Sequence, residues 1–182
     1  MIQTTFQKLH DAGACKERYR FLAKALGGIK AYGVNTPITL LQILDINGFD
    51  DALWALRACD DAETFSRLLV CDYAEHVLHI FEAEYPDDYR PREAIAVSRR
   101  YARGEATDAE LSAAWSAAGS AAEAAAEAAA WTAAWAAAET AAGADAWIAA
   151  WAAARDAGDA ARNAERQWQE ARLRELLERG QE

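Results

Sequence analysis

Alanine fills 47 of the 182 positions of this chain, against only three prolines and ten glycines. It is the best helix former and a poor strand former, so this excess predicts an all-α chain and excludes a β-sandwich or a Rossmann-type sheet. Apolar residues make up 53% of the sequence, but about half of them are alanine. The bulky remainder suffices for one domain or at most two.

Helix boundaries are written mostly by local punctuation. Gly13 can end a first helix, and Gly27-Gly28 a second one over roughly Cys15 to Leu26, because glycine accepts the left-handed conformation that follows a helix. Thr36-Pro37 reads as an N-cap followed by proline at the first helical position, opening PITLLQILDI, which Asn47-Gly48 closes. Asp50 or Asp51 can cap the short DALWALRAC helix. Asp60 with Glu63 has capping-box spacing and starts a helix reaching about Glu84, before Pro86. Pro91 opens another, ended by Gly104. These signals predict about six short to medium helices over residues 1–106.

Beyond Gly104 the composition changes. Thr107 and Glu110 form a further capping box, and three 16-residue segments then follow: WSAAGSAAEAAAEAAA from Trp115, WTAAWAAAETAAGADA from Trp131 and WIAAWAAARDAGDAAR from Trp147. Sixteen residues leave a remainder of about 160° on a straight helix, so successive repeats face nearly opposite ways, and so short a unit argues against a solenoid. We expect a long Ala/Trp-rich hairpin over 107–182: one helix over about 107–142, a reversal at Gly143, and a second over 144–179. Breaks near Gly119 or Gly158 are alternatives. Each tryptophan can bury about 150–250 Å², roughly 4–6 kcal/mol as an upper bound. They read first as core and second as anchors for a partner. Residues 107–182 are expected to pack with 1–106 as one domain, and a hairpin of this composition could also self-associate.

Charge divides unevenly. Residues 1–106 carry 13 basic and 16 acidic residues, and 107–182 carry 6 and 13, for a total of −10. That balance opposes direct binding to nucleic acid, whose phosphates need Lys and Arg opposite them. No run of 18 or more bulky apolar residues is present, and the first residues lack a charged segment followed by an apolar one, which predicts a soluble cytoplasmic chain away from membranes. Cys15, Cys59 and Cys71 are odd in number and widely spaced, so they build neither a disulfide framework nor a CxxC zinc site.

Candidate chemistry concentrates in CDYAEHVLHIFEAE, Cys71 to Glu84. Asp72, His76 and His79 fall at roughly 0°, 40° and −20° on a helical wheel and share a face that could hold a metal. Glu75 and Glu82 join that face, while Val70, Ala74, Val77, Leu78, Phe81 and Tyr85 line the opposite one, so the pattern also describes an amphipathic helix with its polar side in water. EHVLH departs from HExxH, and DYAEH places Asp where the inverted zinc motif needs His. We therefore expect no metal and no cofactor. Paired carboxylates at Asp50-Asp51, Asp60-Asp61 and Asp87-Asp88 flank helix ends, where capping and the helix dipole explain the N-terminal ones. No GxGxxG, GxxxxGK[ST] or GxSxG is present, and neither His10 nor Cys15 has a recognisable catalytic companion. An enzyme is not expected.

Asp72 to Asp88 holds six acids and no Lys or Arg, whereas Arg90 to Arg103 holds five arginines and one acid. The two blocks can pair across the Pro86 to Pro91 turn. Alternatively the acidic one meets a basic partner, since complementary fields speed association. On that argument Asp72, Glu75, Glu82, Asp87 and Asp88 are the candidate partner-binding residues. The stripe Ser112, Ser116, Ser120, Glu123, Glu127 marks the solvent side of the alanine-rich helix.

The segment RLLVCDYAEHVLHIFEAEYPDDYRPREAIAVSRRYARGE and its Ala-rich tail with spaced Trp resemble the immunity proteins of bacterial polymorphic-toxin systems and phages, the immunity-family-five-like group. PITLLQILDINGFDDALWALRA and the earlier GAC segment fit the same likeness. The resemblance implies an all-α, non-catalytic inhibitor that neutralises a toxin made by the same cell; it implies no contact residues. A phage anti-defence inhibitor, placing the same acidic surface in a basic nucleic-acid channel of a host immune complex, is the alternative. A small metal-dependent enzyme using Asp72, His76 and His79 is a third.

Overall fold

The computed structural model describes residues 1–124 and 158–180. Helices dominate, as the alanine content predicts, and by its contacts the chain divides into two compact units: Met1–Ala62 with Glu170–Glu182, and Glu63–Gln169. The compositional shift near Gly104 falls inside the second unit.

In the first unit a two-stranded antiparallel ladder pairs β1 (Gln3–Thr4) with β2 (Ile38–Thr39), Gln3 opposite Thr39 and Thr4 opposite Ile38. α1 (Phe6–Asp11) starts where the Thr5 hydroxyl accepts from the Lys8 amide at 3.2 Å. Phe6 is fully buried and meets Tyr19 and Tyr32 edge-on at 5.4 and 5.8 Å. α2 (Lys16–Ala25) ends just before Gly27, and α3 (Ile29–Tyr32), a single turn, is an addition to the helices expected from the sequence.

The helix expected to open at Thr36-Pro37 begins three residues later, as α4 (Leu40–Asn47). Thr39 is its cap: its hydroxyl accepts from the Gln42 amide at 3.1 Å while the Gln42 side chain accepts from the Thr39 amide at 2.9 Å. That reciprocal box satisfies two otherwise orphaned donors, and Ile38 and Thr39 find strand partners in β1, so the start moves away from the proline.

Gly48, at φ 87°, both ends α4 and precedes α5 (Phe49–Ala55), a reversal that a Cβ would strain. Asp50 and Asp51 therefore lie in the first turn of α5 rather than at its cap. The Asp51 carboxylate instead takes Arg18 Nε at 2.7 Å and Asn47 Nδ2 at 2.6 Å. The chain tightens into a 3₁₀ turn at Leu56–Ala58. Asp60 also departs from its expected capping role and pairs with Lys8. Leu173 and Leu177 are buried, and Arg174 meets Asp45 of α4 at 2.6 Å.

The second unit is built on α6 (Ala62–Glu84), α7 (Arg90–Ala102), α8 (Asp108–Ala124) and the first part of α9 (Gly158–Arg179). α6 runs 23 residues without glycine or proline and stops ahead of Pro86. Its apolar face is the one read from the sequence: Val70, Ala74, Val77, Leu78 and Phe81 are all buried, joined by Tyr73. Cys71, Ala74 and Leu78 form a cluster with Ile95 of α7. α7 has Pro91 in its first turn, and Gly104 follows it at φ 74°.

Thr107 and Glu110 form the expected capping box of α8: the Thr107 amide reaches Glu110 Oε2 at 2.8 Å and the Glu110 amide reaches Thr107 Oγ1 at 3.2 Å. α8 packs on α7 through methyl groups, with Ala94 and Ala118 buried and Ala114 and Trp115 beside them. It passes Gly119 without a break. Ser112, Ser116 and Ser120 are exposed, as expected. The reversal at Gly143 and the tryptophans at 131, 135, 147 and 151 lie outside the described residues.

Candidate acidic interface on the second unit

Residues 63–169 hold 9 basic and 18 acidic residues, a net of −9, against −1 for the rest of the chain. The candidate residues sit on α6 and on the turn before α7. Helical spacing puts Asp72, Glu75 and Glu82 on one side of α6, and the Pro86–Pro91 turn returns the chain so that α7 presents its arginines to them.

Arg99 Nη2 lies 2.8 Å from Asp72 Oδ1 and 2.5 Å from Glu75 Oε2. Arg92 grips Glu82 with two parallel bonds, both 2.6 Å. In the turn, Arg90 Nε and Nη2 reach the two oxygens of Asp88 at 2.8 and 2.6 Å, and the Arg90 amide adds a third bond at 3.1 Å. The Arg90 side chain holds the Asp88 carboxyl below its ordinary value, and hydrogen bonding to Glu82 raises the Arg92 guanidinium. The two charge blocks thus pair across the turn.

Asp87 stands apart from the other four candidates. It is exposed, as is Glu93 on the first turn of α7, and neither has an ion pair among the described residues. Both line an open depression of about 690 Å³ with Tyr85, Pro86, Asp88, Tyr89 and Arg90. Tyr89 is 59% exposed. The sequence reading overlooked Tyr89 and Glu93, because an aromatic in a turn carries no periodicity to mark it.

On the polar side of α6, Glu75, His76 and His79 are exposed, as its pattern predicts, and Asp72 and Glu82 are partly covered. His76 Nδ1 donates to Glu165 Oε2 of α9 at 2.7 Å, and Glu165 is buried. The His76 ring also stacks on Trp168 with centroids 3.6 Å apart. His79 Nδ1 donates to the His76 carbonyl at 2.9 Å. Asp72, His76 and His79 are therefore turned to three different partners: Arg99, Glu165 and the backbone. Among the described residues no group of three or more His, Cys, Asp or Glu could hold a metal ion. Burial pushes the Cys59 and Cys71 thiols up to about 12, away from thiolate chemistry. Among the described residues no helix is long and apolar enough to cross a membrane.

The family model described as Imm-5 like putative immunity protein matches residues 67–176, from α6 into α9. The chain belongs to this immunity-protein family. No curated protein and no solved structure matches it. The Imm-5 like region contains every candidate acidic residue, and the first 66 residues precede it. Membership suggests an immunity-type, non-catalytic protein that binds a protein partner.

Proposed function

We propose that this Imm-5 like chain is a cytoplasmic, non-catalytic inhibitor that binds a cognate toxin domain and neutralises it, with the acidic residues of α6 and the turn before α7 meeting a basic face of the toxin. The family match carries this reading. The charge asymmetry supports it, since a field of one sign on one partner steers a partner of the opposite sign and raises association rates. The intramolecular arginine pairs are compatible with the reading, because rim ion pairs in water are weak and leave the net field negative.

The test is affinity capture from the source cell's lysate with the tagged chain, at low and moderate salt, followed by expression of the captured protein alone and together with the chain. The expected result is a basic domain that stops growth alone and is harmless when co-expressed. A captured domain whose toxicity persists beside the chain overturns the reading, and so does a captured nucleic-acid-binding defence subunit with no toxicity of its own.

A further inference from the structure

We infer that the turn between α6 and α7 is the point of contact with the protein partner and that it receives an arginine side chain, seated on Tyr89 between the carboxylates of Asp87 and Glu93. The inference rests on the protein-partner reading above and sharpens it to one place and one residue type.

Three observations converge there. The first is how the acidic block is sorted. Asp72 and Glu75 share Arg99, Glu82 is gripped by Arg92, and Asp88 by Arg90. Asp87 and Glu93 are the exposed carboxylates beside this ladder that no cation of the described chain engages. A partner cation gains more from them than from a carboxylate it must first detach from an arginine. The second is Tyr89, the one large apolar or aromatic residue of the described second unit counted among the exposed ones. It shares the open depression with both carboxylates, and tyrosine is enriched among residues that dominate binding energy.

The third is an internal precedent. At the other end of α7, the Arg67 guanidinium lies over the Tyr101 ring, 5.1 Å from its centroid, and meets Glu63 Oε1 at 2.8 Å. The chain thus already seats an arginine on a tyrosine beside a carboxylate. Tyr89, Asp87 and Glu93 offer the same residue types to an arginine from outside, since Arg90, the one arginine among the described residues lining the depression, is committed to Asp88. A planar guanidinium stacks on an aromatic face and pairs with carboxylates in a way that the compact lysine ammonium does not. The turn is also preorganised: the Asp88 amide donates to Tyr85 O at 3.1 Å and Asp88 Oδ1 receives the Arg90 amide. Little ordering is left to be done on binding.

The experiment is a titration of the ¹⁵N-labelled full chain with an acetylated, amidated Gly-Arg-Gly-Arg-Gly peptide, and with its citrulline counterpart, which keeps the shape and removes the charge. Amide shifts concentrated in residues 85–93, several-fold weaker with citrulline and abolished in Tyr89→Ala with Asp87→Asn, are the expected result. Tyr89 and Asp87 are exposed, so these variants should fold as the parent does. Shifts centred elsewhere, equal shifts with citrulline, no shifts, or shifts that survive both substitutions overturn the inference. The titration needs no toxin. A chain that takes the peptide at this turn but rescues no cell leaves the surface standing and overturns the immunity reading, whereas rescue by the chain with no peptide response does the reverse.

Discussion

His76 of α6 lies flat against Trp168 of α9, ring centroids 3.6 Å apart and planes within 9°, while its Nδ1 donates to the buried Glu165 carboxylate. The contact joins residues 92 apart in sequence and is reinforced by Tyr73, whose hydroxyl donates to the Gln169 carbonyl at 3.1 Å, and by Gln169 Nε2, which reaches Glu165 Oε1 at 3.0 Å. Glu165 is only 6% exposed, so these donors take the place of the water its carboxylate gives up on burial.

His76→Ala should therefore lower stability by roughly 1–3 kcal/mol, since it removes a donor from a buried carboxylate as well as the stack. Adding Glu165→Gln should recover part of the loss, because the neutral amide has less to lose on burial. Urea unfolding of the two variants, followed by circular dichroism, measures both steps. A single variant as stable as the parent would show that the clamp contributes nothing.

The α7–α8 contact predicts a sharp positional contrast. Ala118 is fully buried against Ala94, whereas Ala113 on the same helix is exposed. Ala118→Leu should cost about 1–3 kcal/mol by forcing the helices apart. Ala113→Leu should stay within about 0.5 kcal/mol of the parent. Thermal melts of the pair decide whether the alanines are there for close approach or only for helix propensity.

The acid side of the stability curve follows from depressed carboxyl groups. Glu110 is held below its ordinary value of 4.5 by the Thr107 amide first, then by the Thr107 hydroxyl and Arg100, and Asp88 below 3.8 by Arg90. Asp11 and Glu175 shift the same way. A carboxyl whose folded value lies below its unfolded value stabilises the fold above the unfolded value, and that contribution is lost as pH falls through the folded one. Urea midpoints should therefore drop between about pH 5 and pH 3. Glu110→Gln should lower the midpoint at pH 7 and flatten the drop without abolishing it. A midpoint independent of pH over this window would contradict the assignment.

How far these features could be read from the sequence depends on their range along the chain. Thr107 and Glu110 are three residues apart and their box was legible at once. Thr39 and Gln42 have the same spacing, yet Pro37 drew the expected helix start to itself; the Thr-x-x-Gln pattern was the signal that could have corrected it. The apolar face of α6 was legible because burial repeats with the helical period. The β1–β2 ladder joins residues about 35 apart with only two per strand, too short for any alternation. The Glu165 clamp on His76 is longer-ranged still. The neighbouring charge blocks foretold pairing across the turn, but not that Asp87 would be left out of it.

The cysteines give a direct check on burial. Cys15 is exposed, Cys59 is partly covered with its thiol donating to the Ala55 carbonyl at 3.3 Å, and Cys71 is buried. With both covered thiols pushed up to about 12, a thiol reagent at pH 8 should modify one cysteine of the native chain quickly and all three only after unfolding. Fast modification of Cys71 in the native state would mean that α6 and α7 separate readily.

Association with the partner should depend on which carboxylate is reversed. Asp87→Lys places a cation where no cation of the described chain offsets Asp87, so it should slow association several-fold and weaken the salt dependence of the rate. Glu75→Lys and Glu82→Lys alter the same net charge by the same amount. They also set a lysine beside Arg99 or Arg92, so their effect should be shared between stability and binding. Comparing association rates at two salt concentrations, each normalised to the fraction folded, separates the two. If net charge alone governs recognition, the three reversals slow association equally. If the turn is the contact point, Asp87→Lys has the largest effect on the rate and the smallest on the urea midpoint.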